Sequence, residues 1–361
     1  MALLLFSISA YTQINITGKV VDEKDDTPLP GASVYFNNTT VGTYTDQQGS
    51  FYFEAFNLFN TEVVVSCTGY EVLVYKPIAE KVKGKRIIVK LQKKVELQRN
   101  KMVLTNAVRK RWLDLFQKSF LGTSKEATKC TIENEPDIYF TQGENKTSFM
   151  AHADTPLVII NNMLGYKISF NLVEFWYNDE NGQNYLLGYS RYEELGNNKK
   201  WIKHRQFCYY GSTLHFYRSL ITNQLYEQGF GTFLIKQVMD SSREILLPGE
   251  QAKAAAGITM AVPITAHQIL YIDSTNNFSI RIRGQLLVQY SSNPSSKDFS
   301  RRNIYIAGNL EKGFESYILF KESSIGLNNA GVLSDPASVE YSGYWINEKA
   351  ANILPYNYQP G

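Results

Sequence analysis

The strongest constraint on this chain is a rhythm near its start. Short runs of alternating apolar and polar residues are separated by turn signals, from Ile14 to Leu91. "INITGKVVD" alternates, the polar and Pro-rich "DEKDDTPLPG" interrupts it, and "ASVYFNN" and "GSFYFEA" alternate again. "EVVVSCTGYEVLVYKPI" reads as a strand pair broken at Cys67–Tyr70, and "KRIIVKL" closes the set. Period two places every second side chain on one face, so each run can bury one face and wet the other. Strands this short and this closely spaced predict a small β-sandwich, here of seven strands over residues 14–93.

One turn inside this region needs a chemical reading. In "TYTDQQGSFYF" an aspartate and a glycine lie between two strand-like runs. A calcium loop needs several oxygen ligands in a D-x-D-x-D type pattern. Gln47 and Gln48 follow Asp46, so a metal role is not expected. Asp46 is expected to cap a turn, Gly49 to take a positive φ, and Tyr44 and Phe51 to point from the flanking strands into the core. Gly31 and Gly69 read as further turns, and Tyr70 as a core anchor.

The order "ITGKVVD…TPLPGASVYF…GTYTDQQGSFYF…VVVSCTGYE…IIVKLQKK" resembles the carboxypeptidase regulatory-like domain, a transthyretin-like β-sandwich. That domain is common in secreted and outer-membrane proteins of Gram-negative bacteria. The resemblance implies a non-catalytic module and an extracytoplasmic setting: periplasm, outer membrane or secreted. Later phrases, "PLVIINNMLGYKISF", "YYGSTLHFYRSL" and "LPYNYQP", are similar to the uncharacterised region that often follows this sandwich. No activity carries over from that region.

Residues 94–123 change character. Leu104, Val108, Trp112, Leu115, Phe116 and Phe120 recur at helical spacing, and Gly122 is placed to stop the helix. Such a basic amphipathic helix can touch a membrane. Asp114 and Gln117 among its basic residues favour packing on its own protein, which predicts a buried Trp112. From residue 124 to 361 strand-like alternation returns, through "QNYLLGYSRYEE", "WIKHRQFCYY" and "FSIRIRGQLLVQY". One clear helix interrupts it, capped by Ser212 or Thr213, buried through Leu214, Tyr217, Ile221 and Leu225, and ended by Gly229. A short second helix is expected near Asn347–Ile353. The fold class is therefore mainly β: sandwich, helical joint, then a larger β-rich domain with one or two helices.

The first 13 residues, "MALLLFSISAYTQ", are apolar and then small, as in a secretory signal, and too short to span a bilayer. Aromatic residues reach 13%, which suits strands. The formal charge of +3 is too small to imply nucleic acid. The three cysteines, Cys67, Cys130 and Cys208, form no CxxC pair and read as small hydrophobes.

Catalytic motifs are sparse. Zinc carboxypeptidases bind metal through His-x-x-Glu and a later His, and none of His152, His204, His215 and His267 is followed by Glu at the third position. There is no H-E-x-x-H, nucleophile elbow or Walker loop. His152 and Asp154 share one strand face and form a weak polar pair. Trp176, Tyr177, Trp201, Tyr209, Tyr210 and Trp345 could form an aromatic platform, although an aromatic-rich β core uses such residues too.

The expectation is an exported, non-enzymatic binding or structural protein without a cofactor. Its partner is an unknown protein or glycan, with peripheral association with the outer membrane as a further expectation. One alternative is a hydrolase using His152 and Asp154. Another is an accessory component of an outer-membrane uptake system. The chain is not itself a large transporter, because about 230 residues cannot supply a 22-stranded barrel.

Overall fold

The computed structural model describes residues 13–56, 61–76, 85–94, 103–145, 147–246, 253–274, 277–291, 305–306 and 314–361. All of the signal-like segment except Gln13 lies outside the described residues. The chain divides into two compact units, Met1–Arg205 with Lys349–Gly361, and Gln206–Glu348. Residues 124–361 are thus distributed over both units, a partition that alternation alone cannot reveal, since it does not say which strands share a sheet.

The first unit begins with seven strands: β1 (Gln13–Asp22), β2 (Ser33–Phe36), β3 (Gly42–Tyr44), β4 (Ser50–Phe56), β5 (Val63–Ser66), β6 (Leu73–Tyr75) and β7 (Arg86–Leu91). They form a three-stranded sheet, β4-β1-β7, and a four-stranded sheet, β3-β2-β5-β6. Strand β1 runs antiparallel to β4 and parallel to β7. The inward residues Ile16, Val20, Val34, Phe36, Phe51, Phe53, Val63 and Val65 make one core. Strands β4 and β7 alternate between buried and exposed residues as the sequence pattern requires, whereas β2 and β5 are buried along almost their whole length, Tyr35, Val64 and Ser66 included, because their outer face is covered as well.

Helix α1 (Asn106–Phe120) follows. Thr105 caps it by accepting the amide N–H of Val108, and Gly122 leaves it at φ +91°. Its buried stripe is Trp112, Leu113, Phe116 and Phe120. The stripe is rotated from the one that the spacing predicts: Leu113, off that stripe, is buried, Leu115 is half-buried and Val108 is exposed. The helix lies on a six-stranded sheet of β8 (Cys130–Ile132), β9 (Tyr139–Gln142), β10 (Ser148–His152), β11 (Leu157–Asn161), β12 (Tyr166–Asn178) and β13 (Asn184–Glu194). Trp112 stacks on Phe149 with centroids 4.6 Å apart and planes 8° apart, and Phe116 meets Phe175 edge-on at 4.9 Å. The joint is therefore a helix packed on its own protein.

Residues "WIKHRQFCYY" are helical, not a strand: α2 spans Lys199–Tyr209. The segment lacks strict alternation and carries Lys and Arg between its apolar residues, and those long side chains suit a helix. Arg205 fixes α2 to the loop before β12. Its Nε donates to Leu164 O at 2.7 Å and its Nη2 to Gly165 O at 3.1 Å, while its guanidinium stacks over Tyr166 at 3.9 Å.

The second unit holds α3 (Thr213–Ile221), capped by Ser212, whose hydroxyl accepts from His215 N. Leu214, Tyr217 and Leu225 are buried and Ile221 is partly buried, as the helical spacing requires. The helix stops at Ile221, before Gly229. Asn223 turns the chain at φ +55°, and Gly229, at φ +87°, starts the next strand. That strand, β14 (Phe230–Leu246), pairs with β15 (Lys253–Pro263) in a six-stranded sheet that also contains β18 (Gly284–Tyr290), β19 (Tyr305–Ile306), β20 (Phe314–Phe320) and β22 (Val339–Gly343). Strands β16 (Leu270–Ile272), β17 (Phe278–Ile280) and β21 (Ile325–Leu327) make a smaller sheet. Phe216, Tyr217 and Leu220 of α3 pack with Leu286, Ile318 and Trp345. The expected helix near Asn347–Ile353 is a single tight turn over Tyr344–Asn347, followed by non-helical turns. Among the described residues no helix is long and apolar enough to cross a membrane, which says nothing of strands.

Candidate functional site

The most developed polar feature lies within the first unit, where the sandwich meets the six-stranded sheet. The tip of the β2–β3 hairpin runs along the edge strand β13. Asn38 N donates to Ser190 O at 2.7 Å, and Tyr192 N donates to Thr39 O at 2.9 Å. Thr39 forms an isolated parallel bridge with Arg191. An exposed strand edge invites pairing with other chains, and the hairpin occupies this one. Residues 350–358 tie the same place from another side. Tyr356 N donates to Asn38 O at 2.7 Å, Asn357 Nδ2 to Thr40 Oγ1 at 2.6 Å, and Asn161 Nδ2 to Ala351 O at 2.8 Å.

Beside this junction is a cavity of about 160 Å³. Ser33, Tyr35 and Ser66 face it from the sandwich, Ser169 and Asn171 from β12, and Lys94 and Asp154 from connecting segments. Tyr35, Ser66 and Asn171 are each more than nine-tenths buried. Asn171 Nδ2 donates to Tyr35 Oη at 2.8 Å and reaches Ser66 Oγ at 3.5 Å. Burial pushes the Tyr35 phenol far above its ordinary range, so it is a neutral hydroxyl. Behind this wall Arg191 is 7% exposed. Its Nη1 donates to Ser33 Oγ at 3.0 Å, whereas its Nε has no hydrogen-bond partner among the described residues and lies 3.9 Å from the Glu193 carboxylate.

Tyr44 does not enter the sandwich core. It is 49% exposed, lies under the Arg191 guanidinium at 4.1 Å, and donates to Glu193 Oε1 at 2.9 Å. Strand β3 is an edge strand only three residues long, and Tyr44 at its end is free to turn toward a cation on the neighbouring sheet. Phe51 is buried in the core. Asp46 Oδ1 accepts from Gln48 N at 2.9 Å and from Ser50 N at 2.8 Å, and Gly49 takes φ +71°. Gly31 and Gly69 stand at φ +72° and +86°. Tyr70 is half-buried against the core and donates to Asp22 Oδ2 at 2.9 Å. Asp22, held below its ordinary pKa by the Lys24 backbone N–H and then by Tyr70, also meets Lys93 at 3.1 Å.

Tyr139 links His152 and Asp154. It is the cross-strand partner of His152, stacks on the imidazole at 5.2 Å, and donates to Asp154 Oδ1 at 3.0 Å. The imidazole Nε2 lies 2.8 Å from Thr141 Oγ1. A hydroxyl and an imidazole at this distance can form a nucleophile–base pair, and the same contact also satisfies a half-buried ring. His215 is 2% exposed: Nδ1 accepts from Gly211 N, so Nε2 carries the proton that it gives to Gln228 Oε1 at 3.1 Å. Burial lowers its pKa and keeps it neutral. Among the described residues no three His, Cys, Asp or Glu converge as a metal site. Three of the candidate platform residues lie in the second unit. Tyr209 and Trp345 are buried, Trp345 donates to Gly211 O at 2.8 Å, and Tyr210 is half exposed. The three cysteines form no disulfide and are half-buried.

The cavity itself was not legible in the sequence. Its signal is the placement of Ser169 and Asn171 two apart on β12, which puts both on one face. Nothing local says that this face meets Tyr35 and Ser66.

No curated protein matches the chain. Among solved structures, a protein described as membrane-associated and of unknown function, from Bacteroides fragilis, aligns over 92% of this chain and 94% of its own. The identity is 9% and the TM-score 0.18. Residues 16–103, which contain most of the sandwich just described, match the family model of the CarboxypepD_reg-like domain and form a module of that kind.

Proposed function

We propose that the protein is an exported, non-enzymatic scaffold whose CarboxypepD_reg-like module is a fixed bracket, not a head on a flexible tether. The interlock carries this reading: Thr39 of the module bridges Arg191 of the edge strand, while residues 356 and 357 bind Asn38 and Thr40. These are backbone-to-backbone and side-chain bonds across elements more than a hundred residues apart, and they fix register as strand pairing does. The module supplies surface and stiffness, and partners, whether protein or glycan, meet the assembled unit. The apolar start and the resemblance to modules of exported proteins support an extracytoplasmic setting.

Three measurements test this. A protease site inserted between residues 98 and 99 and then cleaved should leave fragments that co-elute on gel filtration; fragments that separate would remove the bracket. Mass spectrometry of the native protein should find a mature start between Tyr11 and Ile16 in an extracytoplasmic fraction, and an intact Met1 in the cytoplasm would sink export. Turnover of a hydrolase substrate that disappears in both Thr141→Ala and His152→Ala would replace the scaffold with an enzyme.

A further inference from the structure

We infer that the cavity between the sandwich and the six-stranded sheet is a binding site for a small, neutral, polyhydroxylated ligand, a single sugar ring in size and chemistry. This goes beyond the scaffold reading and does not depend on it.

Three observations carry it. The first is the buried polar wall. Tyr35, Ser66 and Asn171 line the cavity while each is more than nine-tenths removed from solvent. Burying a hydroxyl or amide is unfavourable unless it is hydrogen-bonded, and apolar residues would close such a junction more stably. Here hydroxyl-bearing side chains surround a void instead. Asn171 commits Nδ2 to Tyr35 and Ser66, so Oδ1 remains its acceptor for a guest hydroxyl.

The second is charge. Lys94 and Asp154 are one cation and one carboxylate at the wall, with Lys94 Nζ 3.3 Å from the Asp154 backbone oxygen. An anion site would show an excess of cations or a fork of donors, and a metal site would show converging carboxylates. Among the described residues the lining has neither. It offers hydroxyls, an amide and phenols, groups that both give and accept and so match a ligand that does the same.

The third is size and shape. At about 160 Å³ the cavity falls below the range of drug-sized ligands, roughly 300–1,000 Å³, and well above the roughly 30 Å³ that a single water occupies in the liquid. Tyr35, Tyr44 and Tyr70 add aromatic surface to the lining, on which the C–H face of a sugar ring can rest.

Calorimetric titration of the full chain with glucose, galactose, N-acetylglucosamine and glycerol tests the inference, with inorganic phosphate as the anionic control. At least one sugar should bind and phosphate should not. Ser169→Leu fills the cavity from a half-buried strand position, and Asn171→Leu removes the central amide. Each should weaken sugar binding tenfold or more, with Ser169→Leu melting at the parent temperature. Ser169→Leu keeps the test valid if Asn171→Leu fails to fold. Binding of none of the sugars, binding of phosphate in preference, or sugar affinity unchanged in Ser169→Leu would each overturn the assignment.

Discussion

Asn171 Nδ2 donates to Tyr35 Oη at 2.8 Å across the junction between sheet and sandwich, with Asn171 8% and Tyr35 1% exposed. One bond therefore joins residues 136 apart in the chain, both almost fully buried. Removing Asn171 strands the Tyr35 hydroxyl, and removing that hydroxyl leaves Asn171 Nδ2 only its 3.5 Å contact with Ser66. Tyr35→Phe and Asn171→Leu should each cost about 1–3 kcal/mol, the penalty of an unsatisfied buried group. The double variant should lose less than the sum, because no orphan remains. Urea unfolding of the four proteins measures the coupling, and strictly additive losses would show that the bond does not hold the junction.

Gly49 stands at φ +71°, and a Cβ placed there would lie 2.6 Å from Val20 O, a backbone atom that cannot move aside. Gly49→Val combines a strained φ with that clash, so it should destabilise the chain by about 1–3 kcal/mol or more. Gly31, also at positive φ, has nothing within 4 Å of the same position among the described residues, so Gly31→Ala should cost less. Thermal melts of the two variants check the order. A Gly49→Val protein that melts with the parent would deny the turn its role.

Trp112 lies flat on Phe149 and edge-on to Phe140 at 5.8 Å. Truncation to Ala leaves a cavity in an aromatic cluster and should cost about 3–5 kcal/mol. Anionic vesicles should leave its fluorescence unchanged, since the ring is already buried. Vesicle binding lost in Trp112→Ala at unchanged stability would mean that α1 serves a membrane surface.

Much of this architecture is local and therefore legible. The sandwich strands announce themselves by alternation, the Asp46–Gly49 turn by its residue types, and α1 by its apolar period. Tyr44 is the instructive failure. Alternation puts it on a strand face but cannot say that a guanidinium from residue 191 waits on the other side. "WIKHRQFCYY" fails for a related reason, since a ten-residue segment of mixed polarity fits either period until its neighbours choose. The polar cavity is the least legible of all, because its walls come from segments whose adjacency only the tertiary fold creates.

Glu348 gives the sharpest test in the second unit. Its carboxylate meets the start of α3: Oε1 accepts from Thr213 N at 2.9 Å and Oε2 from Thr213 Oγ1 at 2.7 Å. Burial nevertheless dominates and pushes its pKa from 4.5 to about 7. Between those two values the native chain holds a proton that the unfolded chain has released. Stability from this group is therefore full below pH 4.5, falls as pH rises toward 7, and is flat above. His215 works in the opposite sense, because its lowered pKa withdraws stability as pH falls. The two slopes overlap, so the parent profile alone cannot separate them. Glu348→Gln isolates one. A glutamine can keep both contacts, with Oε1 accepting the Thr213 N–H and Nε2 donating to its hydroxyl, while never ionising. Subtracting the Glu348→Gln profile from the parent profile should cancel His215 and leave a difference that grows against the parent from about pH 4.5 to 7. At pH 8 the variant should be the more stable protein. A difference that is flat across this window, or one that favours the parent at high pH, would show that Glu348 is ionised at no penalty in the folded chain.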